Sequence, residues 1–287
     1  MSYRLRASPL HAARASAACL YCLALACAAL MLSAPVALGA VTVAIVLAGV
    51  WAGAGRELRR AALFAVPLWL MVAAINALVA PDGLTVIWRF GQVPLLGHLD
   101  VTLEATVYGA ILGLRAVALV LCATLYTVTV DPDEVLKLFR RISFRSALTA
   151  TLATRMVPIL VRDSRRLADA QRCRAGAPPS RLALMHAATS GMLDRALDVA
   201  AALEVRGYGA ARRPPRRRAP WSRHDLAFAA SAVAVFGLAL LARVAGLTPF
   251  RAYPTLRAPV SPAEIALSAA LLVCALLPFA DRRGVER

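Results

Sequence analysis

SALTATLATRMVPILVRDSRRLADAQRCRAG, from Ser146 to Gly176, and SRLALMHAATSGMLDRALDVAAALEVRGYG, from Ser180 to Gly209, decide how this chain is read. Leu148, Leu152, Met156 and Ile159 recur at helical spacing in the first run. Met185, Met192, Leu193, Leu197 and Leu203 do so in the second. Charges return every few residues, so neither run has the unbroken apolar length of a bilayer span. Each helix therefore has an apolar side to bury against protein or membrane and a charged side for water. Each also ends in an arginine followed closely by glycine, the usual helix stop. Two helices of similar length and ending call for two similar docking points.

The composition around them is that of a polytopic membrane protein. Of 287 residues, 60% are hydrophobic, and the mean hydropathy is +0.66. The net charge of +17 comes from 33 basic and 16 acidic residues. Residues 131–225 alone hold nineteen of the basic and nine of the acidic ones. In a membrane protein such an excess reads first as cytoplasmic segments obeying the positive-inside bias. Lys137 is the only lysine, so the arginine preference carries little functional meaning. Six cysteines show neither metal-ligand nor disulfide spacing; Cys19, Cys22, Cys27, Cys122 and Cys274 sit in apolar runs as small filler.

Working outward toward the N-terminus, Arg4, Arg6 and Arg14 precede an apolar run from Ala15 to Leu32. A signal peptide with a cleavage-like Ala37-Leu38-Gly39-Ala40 is one reading. Continuation past Pro35 to Ala54 fits a hairpin of two spans better. Arg56, Arg59 and Arg60 lead into a third span, Ala61 to Ala80, with Asn76 placed to reach the interface or a neighbouring helix. Residues 81–103 read as a loop with Pro81, Gly83, Pro94, Gly97 and a single basic residue, Arg89. The fourth span runs from about Glu104 to Val130, and Arg115 inside it must face protein, water or a headgroup. A fifth covers Asp225 to Ala245 and a sixth Ala263 to Phe279. The basic segments then fall on one side, which predicts a multi-pass protein of the inner or plasma membrane with both termini cytoplasmic; Arg251 and Arg257 run against that bias. The fold class is all-α and polytopic, with about six transmembrane helices plus two long cytoplasmic helices. Its parts are 1–130 with four spans, a cytoplasmic region 131–225, and 226–287 with two spans.

The cytoplasmic region opens on Asp131-Pro132-Asp133-Glu134, a helix start with Asp131 as cap and carboxylates in the first turn. Pro158 should kink or divide the first long helix. Pro178-Pro179 forces a corner, after which Ser180 can cap the second. The run Arg212-Arg213-Pro214-Pro215-Arg216-Arg217-Arg218 is a stiff polybasic link suited to anionic headgroups of the bilayer. No aromatic platform or binding motif accompanies it, so nucleic acid is not expected as a partner.

Catalytic signatures are missing. No Gly-rich loop ends in Gly-Lys-Ser/Thr, so the chain is not itself an ATPase of that class. His11, His98, His186 and His224 are isolated from one another, without metal-ligand spacing. Asp194 and Asp198 lie one turn apart, yet Arg195 and nearby basic groups make them part of a solvated charged face. No spaced intramembrane carboxylates of a proton-driven pump are present.

AQRCRAG (Ala170 to Gly176) and ALEVRGYG (Ala202 to Gly209) resemble the Ala-Arg-Gly-type signatures that end the two coupling helices of the transmembrane T component of energy-coupling factor transporters, the family that includes CbiQ-like cobalt-transport proteins. Asp131-Pro132-Asp133-Glu134, Arg155-Met156-Val157-Pro158, and Asn76 before Pro81-Asp82-Gly83 resemble it too. The likeness covers nearly the whole chain and is most specific over 131–209. It implies a scaffold without its own catalysis, cofactor, metal site or direct substrate binding. Such a scaffold holds a small membrane S component and sits on two cytoplasmic ABC-type ATPases. ATPase closure would then reorient the S component and release a vitamin, a vitamin precursor or a transition-metal ion inward.

By position in the motif, the docking role falls to Arg174 and Arg206, supported by Ala170, Arg172, Gly176, Ala202 and Gly207. The first copy departs from the pattern, with Ala175 where the second has Gly207, so Arg172 shares the candidacy with Arg174. Either arginine alone would be accounted for by complementing its helix dipole. Two copies on paired helices favour docking. Two alternatives stand beside this reading. One is a different permease subunit or secondary transporter; the other is a membrane-anchored enzyme acting on lipid or prenyl groups.

Overall fold

The computed structural model describes residues 8–79, 85–93, 97–139, 144–173, 181–207, 220–247, 250 and 261–281. Helix α1 (Pro9–Ala12) is a short lead-in to α2 (Ala15–Met31) and α3 (Pro35–Trp51), which are apolar on every side. That is the composition of helices meeting protein on one flank and lipid on the other. α4 (Gly55–Val79) and α5 (Leu103–Thr129) follow, joined through strands β1 (Val86–Val93) and β2 (Gly97–Thr102). α6 (Pro132–Phe139), α7 (Phe144–Arg172) and α8 (Arg181–Val205) lie in the basic middle of the chain, whose excess charge is carried by α7 and the segments between helices. α9 (Arg223–Val244) and α10 (Pro262–Leu276), with a closing 3-10 turn at Leu277–Phe279, complete it.

The chain divides into two compact units, residues 1–135 with 221–287, and residues 136–220. The first is a membrane unit. Its segments Gly55–Leu78, Leu103–Thr129, Arg223–Val244 and Pro262–Phe279 are long and apolar enough to cross a membrane. α2 and α3, at 17 residues each, are shorter apolar helices. The six expected spans correspond to these four helices and two shorter ones. At about 1.5 Å per residue the short pair reaches about 25 Å, less than the ~30 Å hydrocarbon core. Arg115 of α5 meets the apex of that hairpin, where its Nη2 donates to the Leu32 carbonyl at 3.0 Å. A costly intramembrane charge thus sits at the carbonyl end of α2, where the helix dipole is negative.

Alanine dominates the contacts of α2, and small side chains let helix backbones approach closely. α2 packs mainly on α9, with α5 and α3 on its other sides. Tyr21 of α2 sits in this seam and donates its hydroxyl to the Ala275 carbonyl at 2.8 Å. Its ring makes edge contacts with Phe228 and Phe279, which also meet each other at 5.2 Å. Ser231 of α9 donates to Cys274 of α10 at 2.7 Å. A second seam joins α4 to α5 through Gly109-Ala110-Ile111-Leu112-Gly113. A Cβ at Gly109 would stand 2.8 Å from the Asn76 Cβ, and one at Gly113 would overlap the Trp69 indole. Trp69 donates from Nε1 to the Ala110 carbonyl at 2.8 Å, closing the seam. Asn76 therefore meets α5 by contact, while its amide donates to Val72 of its own helix.

Two expectations are corrected. The stretch read as a loop over 81–103 contains an antiparallel hairpin, pairing Val86 with Thr102 and Val93 with Gly97. Val86-Ile87-Trp88-Arg89-Phe90 is β-branched and aromatic, which favours a strand once proline and glycine bound it. Glu104 pins the hairpin's start to α5 by accepting from the Thr85 hydroxyl at 2.6 Å. Of the kink or division expected at Pro158, division does not occur, because α7 runs continuously from Phe144 to Arg172 around it. One proline removes one amide donor, and hydrogen bonds on either side carry the helix through.

Candidate docking site on the coupling helices

α7 and α8 build the second unit from alanine, leucine and arginine, residues of high helix propensity. Arg155, Arg162, Arg165 and Arg166 are exposed, giving α7 a basic outer face. Asp163 is set among them but half-buried, and it accepts from Arg195 of α8 at 2.6 Å. This ion pair ties the two helices together. Asp194 and Asp198 stay exposed, so Arg195 turns away from them toward α7.

The apolar stripes fare differently. Leu148, Leu152, Met156 and Ile159 of α7 are half-buried. On α8, Leu182, Met185, Leu193 and Leu197 are 63–79% exposed. Val157 and Val161 of α7 are exposed as well.

The ends of the helices carry the residues singled out by motif. In α8 the helix closes at Val205, where the Arg206 amide donates to Ala202 at 3.2 Å and that of Gly207 to Glu204 at 2.9 Å. Gly207 has φ +75°, the left-handed conformation that stops a helix without a Cβ penalty. Ala202, Arg206 and Gly207 are exposed, and the neighbouring Val205 is 90% exposed. In α7, Ala170 and Arg172 are exposed in the last turn. Arg172 lies 3.7 Å from Asp169, with both side chains largely in solvent, a pair worth little to stability. Arg174 and Gly176, like the corner at Pro178-Pro179 and Ser180, lie outside the described residues. An arginine fork beside a glycine at a helix end can offer donors to a partner's carboxylates or carbonyls while its backbone approaches closely. Among the described residues no group of three His, Cys, Asp or Glu is placed to hold a metal ion.

Sequence reading did not find the Asp163–Arg195 tie, although an acid set among the arginines of one long helix is its signal. It also passed over Gly109 and Gly113, whose four-residue spacing in an apolar run marks close helix packing.

Apolar helices long enough to cross a membrane in one unit, and two long charged helices in the other, are the build of a multi-spanning membrane protein. The chain belongs to the CbiQ family, described as cobalt transport protein, whose model matches residues 6–216. It is 28% identical over 149 residues to the energy-coupling factor transporter transmembrane protein EcfT of Macrococcus caseolyticus (strain JCSC5402), covering 45% of this chain and 56% of that protein. It is 31% identical over 151 residues to the EcfT of Lactobacillus helveticus (strain DPC 4571), covering 45% and 54%. The chain thus spans about half the length of the curated relatives it matches.

Proposed function

We propose that this chain is the T component of an energy-coupling factor importer, a membrane scaffold that joins two cytoplasmic ATPases to a small substrate-binding S component. The observation that carries the reading is the pair of long helices outside the candidate spans, with Arg172 exposed in the last turn of the first and Arg206 exposed at the end of the second. The second of these is closed by Gly207 at φ +75°. The family match running through both helices supports it. In this reading Arg206 with Ala202 and Gly207, and Arg174 with Ala170, Arg172 and Gly176, enter grooves on the two ATPases. The exposed apolar stripe of α8 is covered by partner protein. Both termini and both helices stand on the cytoplasmic side. Cargo is a vitamin, a vitamin precursor or a transition-metal ion, selected by the S component.

The test is affinity capture through a tag on this chain, with uptake assayed in parallel. A charge that only complements its helix dipole is worth about 0.3–1 kcal/mol. Losing one partner of a buried, hydrogen-bonded charge pair costs about 2–5 kcal/mol. Arg174→Glu with Arg206→Glu is therefore expected to insert normally, hold the S component, and lose the ATPases and uptake. Ala175 interrupts the first signature, so Arg206→Glu is the more damaging single change. Wild-type capture and uptake in the double variant would sink the docking role.

A further inference from the structure

Arg115 stands about midway along α5, and its charge is poorly answered by the protein. A guanidinium carries five N–H donors. Here Nη2 donates to the Leu32 carbonyl at 3.0 Å, while Nε is buried without an acceptor. Among the described residues no carboxylate forms an ion pair with it. A cation placed among apolar helices ordinarily has a counter-charge, and this one has a single carbonyl.

Its surroundings suit an anion. Leu32 ends α2, and Ser33 and Ala34 turn the chain into α3, so the guanidinium lies at the apex of the α2–α3 hairpin. Ser33 is half-buried, and its hydroxyl makes no hydrogen bond among the described residues. α3 begins at Pro35 with no side chain capping it, so the positive end of its dipole opens on the same turn. A guanidinium, a free hydroxyl and an uncapped helix start thus meet within a few residues, and all three favour an oxyanion.

Depth decides which oxyanion can reach them. α2 starts level with the end of α5 and the start of α9. Glu134, just past α5, accepts from the Ala15 amide at 3.3 Å, and Asp225 of α9 accepts from the Arg14 amide at 2.7 Å. From that common level α2 rises about 25 Å to its turn, whereas α9, at 22 residues, rises about 33 Å. The turn therefore stops about 5 Å short of the far edge of a ~30 Å hydrocarbon core. An arginine at that depth extends toward the phosphates of the nearer leaflet, and a lipid phosphate needs to sink only a few ångströms to meet it.

We propose that Arg115, with Ser33 and the start of α3, binds the phosphate of an anionic phospholipid in the leaflet facing the α2–α3 turn. The site belongs to the membrane unit alone and does not depend on the T-component reading.

Native mass spectrometry of the purified full chain in detergent tests it, with phosphatidylglycerol as the probe. The wild type is expected to retain phosphatidylglycerol about tenfold more tightly than phosphatidylcholine. Arg115→Gln should remove that preference. Ser33→Asp sets a carboxylate beside the guanidinium, pairs its charge within the protein, and should remove the preference too. If Arg115→Gln melts well below the wild type, Ser33→Asp decides. Arg60→Gln, an exposed arginine at the opposite end of the unit, should leave the preference intact. Equal retention of the two lipids by the wild type overturns the site, as does a preference that survives in Ser33→Asp or falls equally in Arg60→Gln. Inorganic phosphate that displaces the lipid at matched concentration would make the ligand a free anion and overturn the lipid assignment.

Discussion

Leu63 and Phe64 of α4 are as exposed as Met185 and Leu193 of α8, yet the two exposures mean different things. In the membrane unit an outward apolar side chain meets lipid tails, and the helix needs no protein there. What holds that unit together is close approach, with glycine against Trp69 in one seam and alanine against α9 in another. In the coupling unit the same kind of side chain shares its helix with Asp194, Arg195 and Asp198, which require water or partners. A stripe flanked by charge cannot lie in the hydrocarbon core, and in the proposed T component its cover is another protein surface. The membrane unit is finished by lipid; in the proposed T component the unit of α7 and α8 is finished by partner protein.

That contrast breaks first, if it is wrong, at α8. Met185→Gln, Leu193→Gln and Leu197→Gln together should abolish partner capture, since each buried apolar side chain is worth about 1.5–3 kcal/mol. Glutamine is a good helix former, so helix content of the isolated chain, followed by circular dichroism, should not change. Retained capture would mean the stripe is not an interface.

Volume at the glycines sharpens the difference next. Gly113→Leu in the α4–α5 seam should destabilise the protein by about 1–3 kcal/mol, read as lowered thermal stability in detergent. Gly191→Leu on α8, where an added Cβ would meet nothing within 4 Å, should be neutral or slightly stabilising. Equal effects at both glycines would erase the distinction between a packed seam and an open helix.

Hydrogen bonds give the smaller effects. Tyr21→Phe removes the donor to Ala275 and should cost about 0.5–1.5 kcal/mol in the same melting assay. Asp163→Asn loosens the α7–α8 tie in a half-exposed site, costs at most about 1 kcal/mol, and should matter less at high salt. A salt-independent loss larger than that of Tyr21→Phe would place the pair in a drier setting than its exposure implies.

The apolar helices were legible because an apolar run of the right length has few other readings. The expected span from Ala15 to Leu32 is α2 at Ala15–Met31, and that from Glu104 to Val130 is α5 at Leu103–Thr129. The glycine stop at Gly207 was legible for a similar reason, since its cause is local. The β-hairpin was hidden because proline and glycine at its ends are equally the marks of a loop. Arg14 with Asp225 was out of reach altogether. The partners lie 211 residues apart, and nothing local to either betrays the other. The candidate docking residues were legible only through their resemblance to a motif, because an exposed arginine at a helix end has a sufficient local explanation without any partner.

The Tyr21 and Asp225 contacts also set an order of assembly during synthesis. α4 and α5 are neighbours in the chain and can pair as soon as both have entered the bilayer. α2 cannot be completed so early. Its principal neighbour α9 and the carbonyl that accepts from its tyrosine are made only after all of residues 136–220 have been synthesised. Until then α2 must wait in lipid with an alanine flank and an unanswered hydroxyl. A chain that stops short of α9 therefore leaves α2, near its beginning, without its principal neighbour.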